Sequence, residues 1–253
     1  MNAAAAVFAD SATMLRRNMR HTARNPVALF NGIVMPLFVM LLLVYVLGGA
    51  FQIGVKYVDY ATPGLIMMTI GYGVSATAAA VNSDMASGAI NRLRVMDVSR
   101  AAVLNAHVIA TTLRSLVAIG FIFGAALLLG FRPEASVLQW LGVVGMIVLT
   151  IVAIGWLTVA FGLAAKTPEN AAFAVVPLIL LPFLSSAFVP AEKMGPGVRQ
   201  FAEYQPFTPI IETLRGLLNG TPSATTAITA IAWCVGLALV GYLWARWTFT
   251  KRA

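Results

Sequence analysis

The sequence predicts an all-α polytopic membrane protein of six transmembrane helices. Uncharged runs extend from Arg24 to Lys56, from Glu134 to Lys166 and from Arg215 to Arg246, each longer than the roughly 20 apolar residues that cross a bilayer core as a helix. Shorter uncharged stretches at 60–83, 115–131 and 170–191 complete the set. Composition agrees: 60% of residues are hydrophobic and 10% charged, against about 25% charged in soluble proteins, and the mean hydropathy is +0.86. The predicted spans are 27–50, 60–82, 103–130, 139–165, 171–190 and 223–247. With an interface helix at 8–25 they form one transmembrane domain over 1–253 and leave no room for a soluble catalytic domain.

The net charge of +8 does not indicate nucleic acid, because the basic residues cluster at the ends of apolar segments, where they orient a membrane protein. With six spans, one face carries Arg16, Arg17, Arg20, Arg24, Arg92, Arg94, Arg100, Lys166, Arg246, Lys251 and Arg252. The other carries only Lys56, Arg132, Lys193, Arg199 and Arg215. This bias predicts both termini in the cytoplasm and the chain in the cell's inner (cytoplasmic) membrane. Residues 1–10 show neither a positive leader nor a long apolar stretch, so the first span is expected to direct insertion.

Ahead of that span, Phe8, Ala12, Leu15, Met19 and Ala23 recur at helical spacing while Arg16, Arg20 and Arg24 form a separate stripe. The pattern predicts an amphipathic helix flat on the inner surface, serving as a lipid anchor or as a contact for a cytoplasmic partner. Asn25-Pro26 ends it. Pro36 predicts a kink in span one. In span two, Gly64, Gly71, Gly73, Ser75 and Ala78 to Ala80 provide small surfaces for close helix approach.

The connection from Ser83 to Arg100 is the most informative polar segment. Ile90, Leu93 and Met96 repeat every three residues while Arg92, Arg94 and Asp97 take other faces, so a short amphipathic cytoplasmic helix is expected. Span three contains His107 and Arg114. A lone interfacial histidine reads as structural. Arg114 is expected to snorkel to the inner headgroups, the other reading being a charge that faces a partner or an aqueous path.

Spans four and five are joined by the tight inner turn Lys166-Thr167-Pro168-Glu169-Asn170, and Pro177 and Pro182 interrupt span five. The longest external segment follows Pro190. Its Phe201, Tyr204, Phe207, Ile210, Ile211 and Leu214 suggest short helices lying on or dipping into the outer leaflet, as a lid over an exit path or a cap on a dimer. Phe207, Glu212 and Arg215 are the candidates for an external gate. In and after span six, Trp233, Trp244 and Trp247 precede Lys251 and Arg252 as interface anchors. Cys234 lies within the span and forms no intrachain disulfide, since it is the one cysteine.

Two blocks carry a resemblance. The first is Asp84-Met85-Ala86-Ser87-Gly88-Ala89-Ile90-Asn91-Arg92-Leu93-Arg94 followed by Val98-Ser99-Arg100; the second joins Phe183 to Pro190 with Gln205 to Arg215. With the interface helix and six spans, they resemble the permease subunits of ABC-2 type exporters, especially the daunorubicin-resistance group. The chain departs from that pattern at Asp97, where such permeases often have proline, and at Gly195, which separates Met194 from Pro196.

The resemblance implies a half-transporter that pairs with a second copy or a related permease. Its cytoplasmic helix would dock on a separate nucleotide-binding ATPase through Asp84, Gly88, Arg92, Leu93, Arg94, Asp97 and Arg100. The cargo it implies is a lipophilic or amphipathic compound. Sequence chemistry supports that division of labour. No lysine follows a glycine, so there is no Gly-x-x-x-x-Gly-Lys-Ser/Thr phosphate loop, and ATP and Mg belong to the partner. An intramembrane enzyme or a metal site would need clustered nucleophiles or ligands, whereas the chain has two histidines far apart and one cysteine. An ion-coupled secondary transporter is the main alternative, although all nine acidic residues lie outside the predicted membrane cores.

Reversing the charge of the cytoplasmic helix by Arg92→Glu and Arg94→Glu is expected to abolish transport or release the ATPase while membrane insertion is retained. Vesicle transport and co-isolation check this, and unchanged transport counts against the role of these arginines.

Overall fold

The computed structural model describes residues 30–49, 54–86 and 100–252, and every regular element among them is helical. The interface helix at 8–25, with Arg16, Arg17, Arg20 and Arg24, lies outside the described residues, as do Gly88, Arg92, Leu93, Arg94 and Asp97.

Four described helices are long and apolar enough to cross a membrane: α2 (Tyr57–Ala86), α3 (Arg100–Leu128, apolar from Val103), α4 (Val137–Ala164) and α9 (Ala224–Arg252). The other two predicted spans form shorter apolar helices, within Gly32–Val46 and Pro168–Leu184. Proline explains the second, while the first starts at the edge of the described residues and continues through its proline. Pro36 opens α1 (Met35–Leu41), and the turn before it, Phe30–Val34, widens to π geometry because the ring cannot donate to Gly32. In the fifth segment α5 (Pro168–Ala174) stops short of Pro177, α6 (Val176–Leu180) restarts with that proline in its first turn, and Pro182 begins the 3-10 turn Leu181–Leu184. Seventeen residues at about 1.5 Å each give roughly 25 Å, less than the roughly 30 Å of a bilayer core.

Two helix starts carry side-chain caps. Ser136 and Gln139 form a reciprocal capping box at the start of α4, Gln139 Oε1 accepting from Ser136 N at 2.6 Å. Thr167 Oγ1 accepts from Asn170 N at 3.2 Å to begin α5. There the exposed Glu169 carboxyl is held below its usual range, chiefly by its own backbone N–H and then by the Thr167 hydroxyl.

The centre of the bundle is α2. Of its most apolar stretch 72% is buried, against 17% for α9, so α2 is the inner helix and α9 the peripheral one. Leu65, Ile66, Met67, Met68 and Ile70 are wholly enclosed, and α1, α3, α4, α5, α6 and α8 (Phe207–Leu218) all pack on α2. Small residues permit this. A side chain at Gly64 would collide with Ala187, and one at Gly71 would crowd the Leu178–Ile179 backbone, so the broken fifth segment sits directly on the α2 main chain.

The two ends of the bundle differ. At the base, the end of α2, the start of α3 and the α4–α5 turn come together; Asn82 Nδ2 donates to Ala165 O at 2.8 Å. At the crown, Glu134 N donates to Leu218 O at 2.9 Å, bringing the α3–α4 connection against the end of α8. The crown also holds α7 (Val198–Tyr204), whose N-cap Gly197 has φ +87°, a conformation that favours glycine.

The apolar face of α8 corrects the sequence expectation. Phe207, Ile210, Ile211 and Leu214 are buried in the bundle core rather than offered to the outer leaflet, whereas Phe201 and Tyr204 of α7 are exposed. An amphipathic stripe has the same spacing whether it is covered by lipid or by protein.

Helices α4 and α9 pair closely, with Trp156 edge-on to Tyr242 at 5.0 Å and Phe161 to Trp244 at 5.1 Å between ring centres. A Cβ at Gly241 would stand 2.5 Å from Leu157 N, so the two backbones touch. Replacing Gly241 with Leu is expected to cost about 1–3 kcal/mol by overpacking. Replacing Gly236 with Ala, on an open part of the same helix, is expected to cost little. Unfolding of the purified protein in mild detergent distinguishes the two.

Candidate functional site

Two polar clusters are anchored at opposite ends of α2, and polar groups inside an apolar bundle persist only when they find partners. At the base, His107 Nε2 of α3 lies 3.3 Å from Asp84 Oδ2, with side chains only 6% and 16% exposed. One turn on, Thr111 Oγ1 donates to His107 O at 2.7 Å and meets Thr77 Oγ1 at 2.7 Å. Next comes Arg114, whose Nη2 donates to Thr77 Oγ1 at 2.5 Å and to Gly73 O at 3.0 Å. On another side of α2, Asn82 Nδ2 reaches Gly162 O at 3.1 Å and Ala165 O at 2.8 Å, satisfying carbonyls at the end of α4.

This geometry corrects the expectation that Arg114 snorkels. The residue lies midway between Arg100 and Leu128, too far from either end of α3 to reach headgroups easily, and its guanidinium turns sideways onto α2. The seam between α2 and α3 is closely packed there. A Cβ on Gly73 would already stand 3.0 Å from Ser115 Oγ, so the helices are in contact.

At the crown, Arg215 of α8 is the organiser. Its Nη1 pairs with Glu212 Oε1 at 2.7 Å, one side chain 11% and the other 40% exposed. Its Nη2 donates to Ser186 O at 2.8 Å and Tyr60 O at 3.2 Å, and its Cζ lies 3.8 Å from the centre of the Tyr60 ring. Tyr60 Oη donates to the same Ser186 carbonyl at 2.9 Å, and Tyr57 Oη to Phe188 O at 3.3 Å. Gln205 Nε2 reaches Leu184 O at 3.3 Å, and the Ser186 N–H donates to Thr208 Oγ1 at 3.4 Å. The stretch that follows the broken fifth segment has left helical geometry, and these side chains take up the carbonyls so released.

Beside this knot is a depression of about 220 Å³ lined by Glu212, Arg215, Gly216, Asn219, Thr221, Ser223 and Thr226. Among the described residues no three His, Cys, Asp or Glu side chains gather as a metal would need.

Of the residues named from sequence, Asp84 and Arg114 share the base cluster, Glu212 and Arg215 form the crown pair, and Phe207 is buried at the start of α8. Arg100 begins α3. The sequence reading gave no such part to Asn82, His107, Thr77, Thr111, Tyr60 or Ser186. One signal was available on α3, where His107, Thr111, Arg114 and Ser115 recur at helical spacing as a polar stripe. For Tyr60 and Ser186 no local signal exists, because their partner is distant in the chain.

Comparison with known proteins matches residues 11–219 to the ABC-2 type transporter family. The chain is 30% identical to the daunorubicin resistance ABC transporter permease protein DrrB1 of Streptomyces coeruleorubidus, over 94% of this chain and 82% of that one. It is 26% identical to the probable doxorubicin resistance ABC transporter permease protein DrrC of Mycobacterium tuberculosis, over 94% and 87% of the respective chains.

Replacing Arg215 with Ala would strand the Glu212 carboxylate and leave two carbonyls without a charged donor. The expected loss is about 2–4 kcal/mol. Lys in its place keeps the charge but not the planar fork, and is expected to recover only part of the loss. Thermal unfolding in detergent of the two variants and the parent measures both effects.

Proposed function

The chain belongs to the ABC-2 type transporter family, and we propose that it is the membrane subunit of an ATP-driven exporter that carries a lipophilic or amphipathic compound, a drug, polyketide or lipid-like molecule, out of the cytoplasm. As an ABC permease homologue it is a membrane protein and not itself an enzyme; permeases of this family normally work with a separate ATPase. In this reading ATP and Mg are bound by that partner, and the pathway forms between two copies of the chain or between it and a related permease.

One observation carries the proposal: the match to drug-resistance permeases runs over 94% of the chain, through both polar clusters, and over 82% of the relative's length. Six spans follow if the proline-broken segments cross together with the helices around them. The base of the bundle is then the cytoplasmic face, with both termini, the interface helix and the 84–100 coupling segment, and the crown is the outer face. This assignment also puts most basic residues inside. Asp84, Gly88, Arg92, Leu93, Arg94, Asp97 and Arg100 are the proposed contacts to the ATPase. Phe207, Glu212 and Arg215 hold the outer end closed, with Tyr60 and the 185–188 stretch as their seat.

The ion-coupled alternative fares worse. Its coupling group must change protonation or bind an ion near the midplane, whereas among the described residues the ionisable side chain at midspan is Arg114, a cation held by Thr77 Oγ1 and Gly73 O.

Purification in mild detergent followed by identification of bound chains tests the proposal. An ATPase is expected to co-isolate, and its turnover in liposomes to depend on this subunit. Movement of solute by this chain alone, driven by an ion gradient, overturns it.

A further inference from the structure

The last turns of α2 place two polar side chains two positions apart, Asn82 and Asp84. At about 100° per residue they point roughly 200° apart. They accordingly reach opposite neighbours, Asn82 the carbonyls that end α4 and Asp84 the imidazole of His107 on α3. From Asp84 the polar contacts continue along one seam, through His107, Thr111, Thr77 and Arg114 to Gly73 O. From Gly73 to Asp84 that is eleven residue steps along α2, or roughly 16 Å at 1.5 Å per step. Above it α2 meets its neighbours through Leu65, Ile66, Met67 and Met68.

The two halves of the helix are therefore held by different kinds of contact. Apolar surfaces tolerate small sliding, because dispersion has no preferred direction. A hydrogen bond weakens steeply once its angle is lost, so a seam with several in series resists shear. Stability alone gives a poor account of the choice of residues. Well-packed apolar side chains generally do as well as a buried polar pair, and Asn82 Oδ1 is buried with no partner among the described residues. What sets these positions apart is their place, at the root of the 87–99 connection.

We infer that Asn82 and His107 are positioning residues of the transport cycle: they fasten the base of α2 to α4 and to α3, so that a displacement of the 87–99 connection moves the inner halves of all three helices as one body. This rests on the exporter reading, in which that connection is where the ATPase acts. It adds that the motor's stroke is delivered to three helices at once, and that the joint lies in two side chains outside the docking segment.

The test uses the full-length protein with its co-isolated ATPase in liposomes, Cys234 replaced by Ser. Spin labels go on two exposed positions, Ser83 of α2 and Lys166 just beyond α4. A second pair joins Ser83 to the exposed Ile109 of α3. Distances are read by pulsed electron paramagnetic resonance without nucleotide and with Mg-ATP trapped by vanadate. With the native residues, neither distance is expected to change with nucleotide by more than about 1–2 Å, the size of ordinary shifts between packed helices. In Asn82→Leu the first distance, and in His107→Leu the second, is expected to become nucleotide-dependent, with ATP hydrolysis and co-isolation of the ATPase retained. His107→Gln, which can still donate to Asp84, is expected to restore the parental behaviour. Parental distances that change on nucleotide binding, or Leu variants that behave like the parent, overturn the inference and leave the exporter reading standing. Isolation of the chain without any ATPase overturns that reading, and the inference with it.

Discussion

Everything in this bundle is arranged around the burial of α2. Among the described helices it is the most enclosed, packed by α1, α3, α4, α8 and the broken fifth segment, and both polar clusters take one wall from it. Inside a membrane that enclosure has a strict consequence: a polar side chain on α2 has no water to turn to, so it must be met by a neighbour. The neighbours meet it at the two ends. Asn82 and Asp84 organise the base, and Tyr57 and Tyr60 organise the crown. Between them glycine and alanine let adjacent backbones approach closely, with Gly64 and Gly71 under the fifth segment.

The broken fifth segment illustrates how such a bundle accommodates non-helical backbone. Pro177 and Pro182 remove donors, and residues 185–190 run out of helical geometry at the crown. Exposed to lipid, each unsatisfied carbonyl would cost several kcal/mol. Here Arg215, Tyr60, Tyr57 and Gln205 supply donors to Ser186, Phe188 and Leu184. An arginine suits the task because one planar group offers five donors, enough to bridge three chain segments. Its charge is balanced by Glu212 one turn back on the same helix.

Much of this organisation is legible in the sequence, and the boundary of legibility is physical. Long apolar runs announce helices, so the four full-length ones are visible from charge spacing alone. The prolines announce the broken fifth segment. Residues 183–190 and 205–215 are recognisable as a paired block, and the structure brings them together through Arg215. What the sequence does not reveal is the direction in which an amphipathic face points. The α8 stripe of Phe207, Ile210, Ile211 and Leu214 satisfies the pattern for a leaflet-bound helix and for a core helix equally. Likewise the predicted span 103–130 already contains Arg114, but only the contacts of its guanidinium with Gly73 O and Thr77 Oγ1 show that it turns onto α2 instead of snorkelling. Tyr60 and Arg215 are 155 residues apart, and no local rule links them.

The position of Arg114 has a bearing on how the bundle is assembled. An arginine at the centre of an isolated span costs about 2.5–3.5 kcal/mol on insertion scales, so α3 alone is a poorer membrane helix than the uncharged α4. The groups that receive its guanidinium, Gly73 O and Thr77 Oγ1, both belong to α2. Thr77 is also bonded to Thr111, so the receiving site is formed by the two helices together rather than by either separately. Insertion of α3 is therefore most favourable when α2 is already at its side, and only the connection at 87–99 separates them. In such a hairpin the His107–Asp84 contact sits beside the connecting segment, and the guanidinium farther up the seam is met by groups of the partner helix. The same contacts tie α3 to α2 along the base, so the helix that most needs a neighbour in the membrane is the one joined to it by hydrogen bonds.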